Sequence, residues 1–239
     1  MKKLAVIVLF LMMAGCTTTK INPVFEIPKG SKIGVINLVG QEMKNYGVRF
    51  DGSYSVNKAP NASDIPYYIN NEIKRQAAEI GYKVEILEVN EEIIRSLYNC
   101  TMEDNHQIVL KPATIPVFQQ LSNDHNLSII YIIKEAEGKF KVQNFYVFPR
   151  GYGLAIDLPK GVFAAFAFFK AEAIYLDPVS LTRGAECLEK KVLKNQVTSD
   201  EFEYPKGRKG VSFYDVSETI KLIINEFISD LLKNSNLKG

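Results

Sequence analysis

Val162-Phe-Ala-Ala-Phe-Ala-Phe-Phe169, continued by Lys170-Ala-Glu-Ala-Ile-Tyr-Leu176, is the stretch on which the fold turns. Its residue types suit a strand, and between Val162 and Phe169 both alternating faces are apolar. Such a strand is normally buried between layers, which calls for a sheet covered on each side. The same residues admit a second reading: Phe163, Phe166, Phe168 and Phe169, with Tyr152 nearby, as an exposed interface for a partner or a membrane. These five are the candidate interface residues.

The elements around this stretch supply a sheet and its cover. Downstream, Asp177-Pro-Val-Ser-Leu-Thr-Arg-Gly184 reads as a hairpin connection and Ala185 to Val197 as a returning strand. A closing helix follows, opened by a capping-box-like Asp215 and Glu218. It carries Val216, Ile220, Ile223, Phe227 and Leu231 on one stripe, with Ile224, Ile228 and Leu232 beside it, a width that needs a sheet to cover. Upstream, Phe140 to Phe148 reads as a strand, Gly151-Tyr-Gly153 as a turn, and Leu127 to Ile133 as a compact apolar strand.

Nearer the start, Lys32 to Val39 reads as a largely buried strand, and Gly40 to Ala62 as a loop or ragged hairpin. Asp64 is a candidate N-cap for a helix with Ile65, Ile69, Ile73, Ala77 and Ile80 at helical spacing and Gly81 as its stop. Tyr82 to Val89 follows as a strand. Asn90 caps a short helix through Leu97, and Thr114 another that turns Val117, Phe118 and Leu121 inward. The order predicts an α/β (α+β) fold: one mixed sheet with helices packed on it and a closing C-terminal helix.

The first residues set the address. Lys2 and Lys3, an apolar run from Leu4 to Met13 and the small pair Ala14-Gly15 form a secretory signal. The run would rise only about 15 Å as a helix, half a bilayer core, so it exports and does not span. Leu11-Met-Met-Ala-Gly-Cys16 resembles the bacterial lipobox. That resemblance implies cleavage between Gly15 and Cys16, diacylglycerol on the Cys16 thiol, and acylation of the new amine with a fatty acid such as palmitate. Thr17 is not the Asp that retains many such lipoproteins in the inner membrane, so the resemblance favours the outer membrane, facing the periplasm. The expected division is a signal peptide over 1–15, a lipidated tether over 16–30 and one domain over 31–239.

Charge and motif exclude several classes. The chain has 29 basic and 27 acidic residues, and Lys2 and Lys3 are the only charges before Cys16, which leaves a mature balance of 27 against 27. A neutral chain has no long-range field for nucleic acid. The only histidines, His106 and His125, lie 19 residues apart without metal-ligand spacing, so no metal or other cofactor is expected. No nucleophile elbow or phosphate loop occurs. Asp51, Asp64, Asp157 and Asp177 could pair as acid and base, as in any chain of this size. Cys100 and Cys187 could bridge in an oxidising compartment or stay as buried thiols.

The pattern as a whole resembles a group of envelope proteins that includes the curli secretion channel lipoprotein CsgG, the N-terminal domain of TolB and lipoprotein activators of peptidoglycan synthases. The likeness rests on the tethered early strand, a helix ending in Gly81-Tyr82 before a strand, the apolar middle strand, and the hairpin in which Asp177, Thr182 and Gly184 loosely follow the group's pattern. It implies a non-enzymatic, lipid-anchored accessory or assembly factor that meets an envelope protein partner. The alternatives are an oligomeric secretion-channel subunit and a periplasmic hydrolase.

Overall fold

The computed structural model describes residues 26–49, 53–58, 64–104, 107–142, 145–157, 162–194, 213–235 and 237. Twelve strands and four helices are described: β1 (Lys32–Asn37), β2 (Lys44–Val48), β3 (Tyr54–Lys58), α1 (Ile65–Glu79), β4 (Lys83–Ile86), α2 (Glu91–Tyr98), β5 (Thr101–Asp104), β6 (Gln107–Leu110), α3 (Ile115–His125), β7 (Ile129–Glu135), β8 (Phe140–Val142), β9 (Phe145–Val147), β10 (Gly151–Asp157), β11 (Val162–Leu176), β12 (Val179–Lys194) and α4 (Phe213–Asn234). Eight strands form one mixed sheet, and β5-β6 and β8-β9 are separate hairpins. The expected α/β class with one mixed sheet, packed helices and a C-terminal helix is the fold observed.

β11 is the spine. β12 runs antiparallel along one of its edges from Phe163 to Leu176. The other edge is shared in tandem: β10 pairs with Val162 to Phe168, and β7 with Phe169 to Tyr175. β7 and β10 are therefore two lengths of one line, running in the same direction, and residues 136–150 are an excursion from it. Gly151 N–H donates to Ala136 O at 3.1 Å where that excursion closes. β1 lies parallel beside β7 with β4 outside it, and β2 lies parallel beside β10 with β3 outside it. The sheet thus has two tiers, β4-β1-β7 and β3-β2-β10, joined at a seam and backed by the β11-β12 hairpin.

Alternation along β11 sends its residues into different cores. Ala165, Ala167, Phe169, Ala171, Ala173 and Tyr175 pack with Ile65, Ile69 and Ile73 of α1 and with Ile220, Ile223, Phe227, Ile228 and Leu231 of α4. On the opposite face, Ile174 and Leu176 meet Leu97, Phe118 and Leu121. Farther along that face, Phe166 and Phe168 pack with Tyr46, Val48 and Val147. Each face is covered, as a strand apolar on both sides requires.

Several local expectations are corrected. Asp64 makes no side-chain cap; its carboxylate sits 3.1 Å from Lys221 of α4. Asn90 does cap α2, accepting from Ile93 N–H at 2.9 Å. Of the two readings of residues 40–62 the hairpin is the one observed, as β2-β3, whereas β8 and β9 form a short hairpin where one strand was expected. Gly151-Tyr-Gly153 begins β10 and is not a turn. α4 already runs at Phe213, upstream of the expected cap at Asp215. Pairing in β12 resumes at Val179, so the turn is Asp177-Pro178, and Thr182 to Gly184 lie within the strand. Ile27, within the stretch expected as a tether, is buried in the core and bridges to Leu237.

Candidate functional site

Close to the seam between the tiers lies a group of interacting polar side chains. On the face that holds α2 and α3, Lys134 Nζ lies 2.9 Å from Glu172 Oε1 and donates to Tyr98 O at 3.0 Å. Lys170 Nζ stands 3.5 Å from the same carboxylate oxygen. Cys100 Sγ–H donates to Glu172 Oε2 at 3.1 Å, and Thr101 Oγ1 to Oε1 at 3.4 Å. Arg150 lies over the Tyr98 ring, 5.6 Å from its centroid, and donates to the Tyr98 hydroxyl. Glu172 sits at a bulge: Ala171 and Ala173 pair with Ala185 and Thr182, leaving Arg183 and Gly184 opposite one residue. A Cβ on Gly184 would come within 1.9 Å of Ala171 O.

The other face of the seam holds a second pair. Lys44 Nζ lies 2.6 Å from Glu135 Oε2 and donates to Arg150 O, while Gly40 N–H donates to Glu135 Oε1. Lys134 and Glu135 are sequence neighbours that the strand pleat sends to opposite faces. Ion pairs thus fasten the junction of β7, β10 and β11 from both sides.

Chemically, the seam is a set of mutually satisfied charges. Burial, then the Glu172 charge, pushes the Cys100 thiol up to about 12. A thiol so placed stays protonated and donates a hydrogen bond; a nucleophile needs the thiolate. Cys187 is likewise pushed up to about 12, chiefly by burial. Among the described residues no group of three or more His, Cys, Asp or Glu could hold a metal ion.

The expected interface residues lie in the interior. Phe163, Phe166, Phe168, Phe169 and Tyr152 are all at most 3% exposed. Phe166 meets the Tyr46 ring edge-on at 5.6 Å and Phe168 at 5.2 Å, while Phe169 meets Tyr152 at 5.9 Å and Phe227 at 6.0 Å. Tyr152 donates to Gly40 O at 2.9 Å. The exposed-patch reading fails because pleating divides these rings between two faces, each covered.

Cys100 and Cys187 are both free and buried, and they belong to cores on opposite faces of the sheet. A disulfide needs Cα atoms within about 7 Å, which the intervening sheet denies. His125 Nδ1 sits 2.6 Å from Glu85 Oε1, which also receives Lys32 on its other oxygen. Asp177 and Asp157 mark opposite ends of β11, roughly 45 Å apart at strand rise, so they form no acid–base pair. Gly15, Cys16, Asp51 and His106 lie outside the described residues.

Exposed apolar groups occur elsewhere, where the sequence reading did not look. Tyr54 and Val56 of β3 are about half exposed, as are Tyr146, Phe148 and Leu188. The signal available was the alternation in Tyr54-Ser-Val-Asn-Lys58, hidden inside a Gly- and Asn-rich stretch. At the other end of the sheet, Tyr82 donates to Ile27 O at 2.7 Å, which ties Ile27 to the residue that precedes β4.

No family model matches the chain, and no curated protein matches it. Among solved structures, it is similar to protein XCC0632 from Xanthomonas campestris, described by the family model DUF330, at 6% identity and a TM-score of 0.41, covering 89% of this chain and 87% of that one. It is similar to the PelC dodecamer from Paraburkholderia phytofirmans at 10% identity and a TM-score of 0.34, covering 92% and 95%. A third is the hypothetical protein CT253 from Chlamydia trachomatis, at 8% identity and a TM-score of 0.40, covering 87% and 96%. At these scores no residue role or activity transfers to this chain.

Proposed function

We propose that this chain is an envelope lipoprotein, anchored through Cys16 and acting as a non-enzymatic accessory or assembly factor through protein contacts. The observation that carries the reading is the position of Ile27, buried in the core eleven residues after Cys16. Fully extended, those residues reach roughly 40 Å at most, so a lipid on Cys16 would hold the whole sheet close to one bilayer. Several acyl chains at about 0.8 kcal/mol per buried CH₂ suffice for stable anchoring. The non-enzymatic part is supported by the seam, whose charges are engaged with one another, and by two thiols held protonated.

Chemical crosslinking and affinity capture from membranes tests the reading, with wild type compared against Cys16→Ser. The expected result is a discrete envelope protein captured by the anchored form and depleted with the substituted one. Ring-shaped particles in detergent would replace this reading with the secretion-channel alternative. Hydrolytic turnover lost on changing a single Asp would replace it with the hydrolase.

A further inference from the structure

We infer that β3 is a self-pairing edge, through which two copies of this chain join their sheets antiparallel about Val56. A strand edge presents unpaired backbone donors and acceptors, and proteins normally guard it with charge, shortness or cover. β12 carries Arg183, Glu186, Glu189, Lys190 and Lys191, and β4 is four residues long with Lys83 and Glu85. β3 closes the other tier, and among the described residues nothing pairs with its outer side. Four of its five residues are exposed, Tyr54 and Val56 among them. Its one charge, Lys58, is drawn to Glu42 at 2.5 Å.

The register singles out a second copy as the occupant. Pairing centred on Val56 uses all five residues of β3 and sets Tyr54 opposite Lys58, Ser55 opposite Asn57, and Val56 opposite its own counterpart. Aromatic then faces cation, hydroxyl faces amide, and apolar faces apolar. A centre at Ser55 or Asn57 leaves strand ends unpaired, and a centre at Lys58 opposes like charges. Tyr54, Val56 and Lys58 share the face of Tyr46, whose ring lies 6.1 Å from that of Tyr54, so the joined strands would extend an existing aromatic surface.

The test uses the full chain in detergent micelles, in both the natural and the Cys16→Ser backgrounds, so that its outcome is separate from that of the lipid anchor. Native mass spectrometry should find a dimer. Val56→Cys should yield a disulfide-linked dimer on mild oxidation, whereas Tyr54→Cys should not, because the two Tyr54 positions would stand about 14 Å apart along the strands. Val56→Lys should weaken dimerisation at least about tenfold with an unchanged melting midpoint, since the residue is exposed and two ammonium groups would face each other. A monomer at roughly 50 μM, where a Kd in the micromolar range would still populate the dimer, a dimer indifferent to Val56→Lys, or Val56→Cys linking a different protein and not itself would overturn the inference.

Discussion

Lys134 Nζ and Glu172 Oε1 lie 2.9 Å apart on neighbouring strands, a few residues beyond the Phe168–Phe169 step at which β11 passes from pairing with β10 to pairing with β7. The carboxylate is 4% exposed. Glu172→Gln leaves the Lys134 ammonium buried without its counter-charge and should cost about 3–5 kcal/mol, read by urea denaturation. Lys134→Met combined with Glu172→Leu should recover most of that loss. A double variant as unstable as the single would show that the cost lies in packing at the bulge.

Phe166 and Phe168 are expected to behave as core. Either residue replaced by Ser should destabilise by at least the roughly 3–5 kcal/mol of a buried Phe→Ala change, because it adds an unpaired hydroxyl to the cavity. Unchanged stability with lost partner capture would restore the exposed-patch reading.

Glycine positions separate close approach from backbone preference. A Cβ on Gly153 would come within 1.8 Å of Lys44 O, between β10 and β2, and its φ is +152°. Gly153→Ala should therefore prevent native pairing of the second tier and lower the melting midpoint severely. Gly30, at φ +84° with nothing within 4 Å of a Cβ, should lose only about 1–2 kcal/mol on substitution by Ala. Equal losses at the two sites would contradict the packed contact between β10 and β2.

Acid titration should report Glu72. Its hydrogen bond from Arg75 holds the carboxyl below its ordinary 4.5. A depressed folded value means that this stabilisation is complete above about 4.5 and is lost as pH falls through the folded value. Between roughly pH 3 and pH 7, Glu72→Gln should start less stable than wild type and decline less steeply. Parallel curves would remove Glu72 from the acid response.

The thiols give a chemical check on burial. Cys100 and Cys187 should resist alkylation in the folded protein and react once it is unfolded, and non-reducing mapping should find both free. A bridge between them would contradict the placement of the two on opposite faces of the sheet.

Much of this fold was legible because periodicity records which face is buried. The stripe from Ile65 to Ala77, the wide face of α4 and the double-faced run at Val162 each name their cover. The tandem sharing of one β11 edge was not legible, since pairing partners leave no mark on alternation. Gly151 and Gly153 carried turn chemistry, yet they serve a strand that approaches Lys44 and Glu135 too closely for a side chain. The β5-β6 hairpin was hidden because Met102 and Ile108 are exposed, which breaks the alternation expected of a half-buried ribbon. The seam was invisible for a related reason: Lys134 of β7, Glu172 of β11, Cys100 between α2 and β5, and Arg150 just before β10 follow no spacing rule.

The most direct measurement is fractionation of Cys16→Ser beside wild type, with fatty-acid labelling and a melting curve on each. The account predicts a labelled wild-type protein in the outer-membrane fraction and an unlabelled, soluble variant that melts at the same temperature. A Cys16→Ser protein that remains folded and membrane-bound would contradict it.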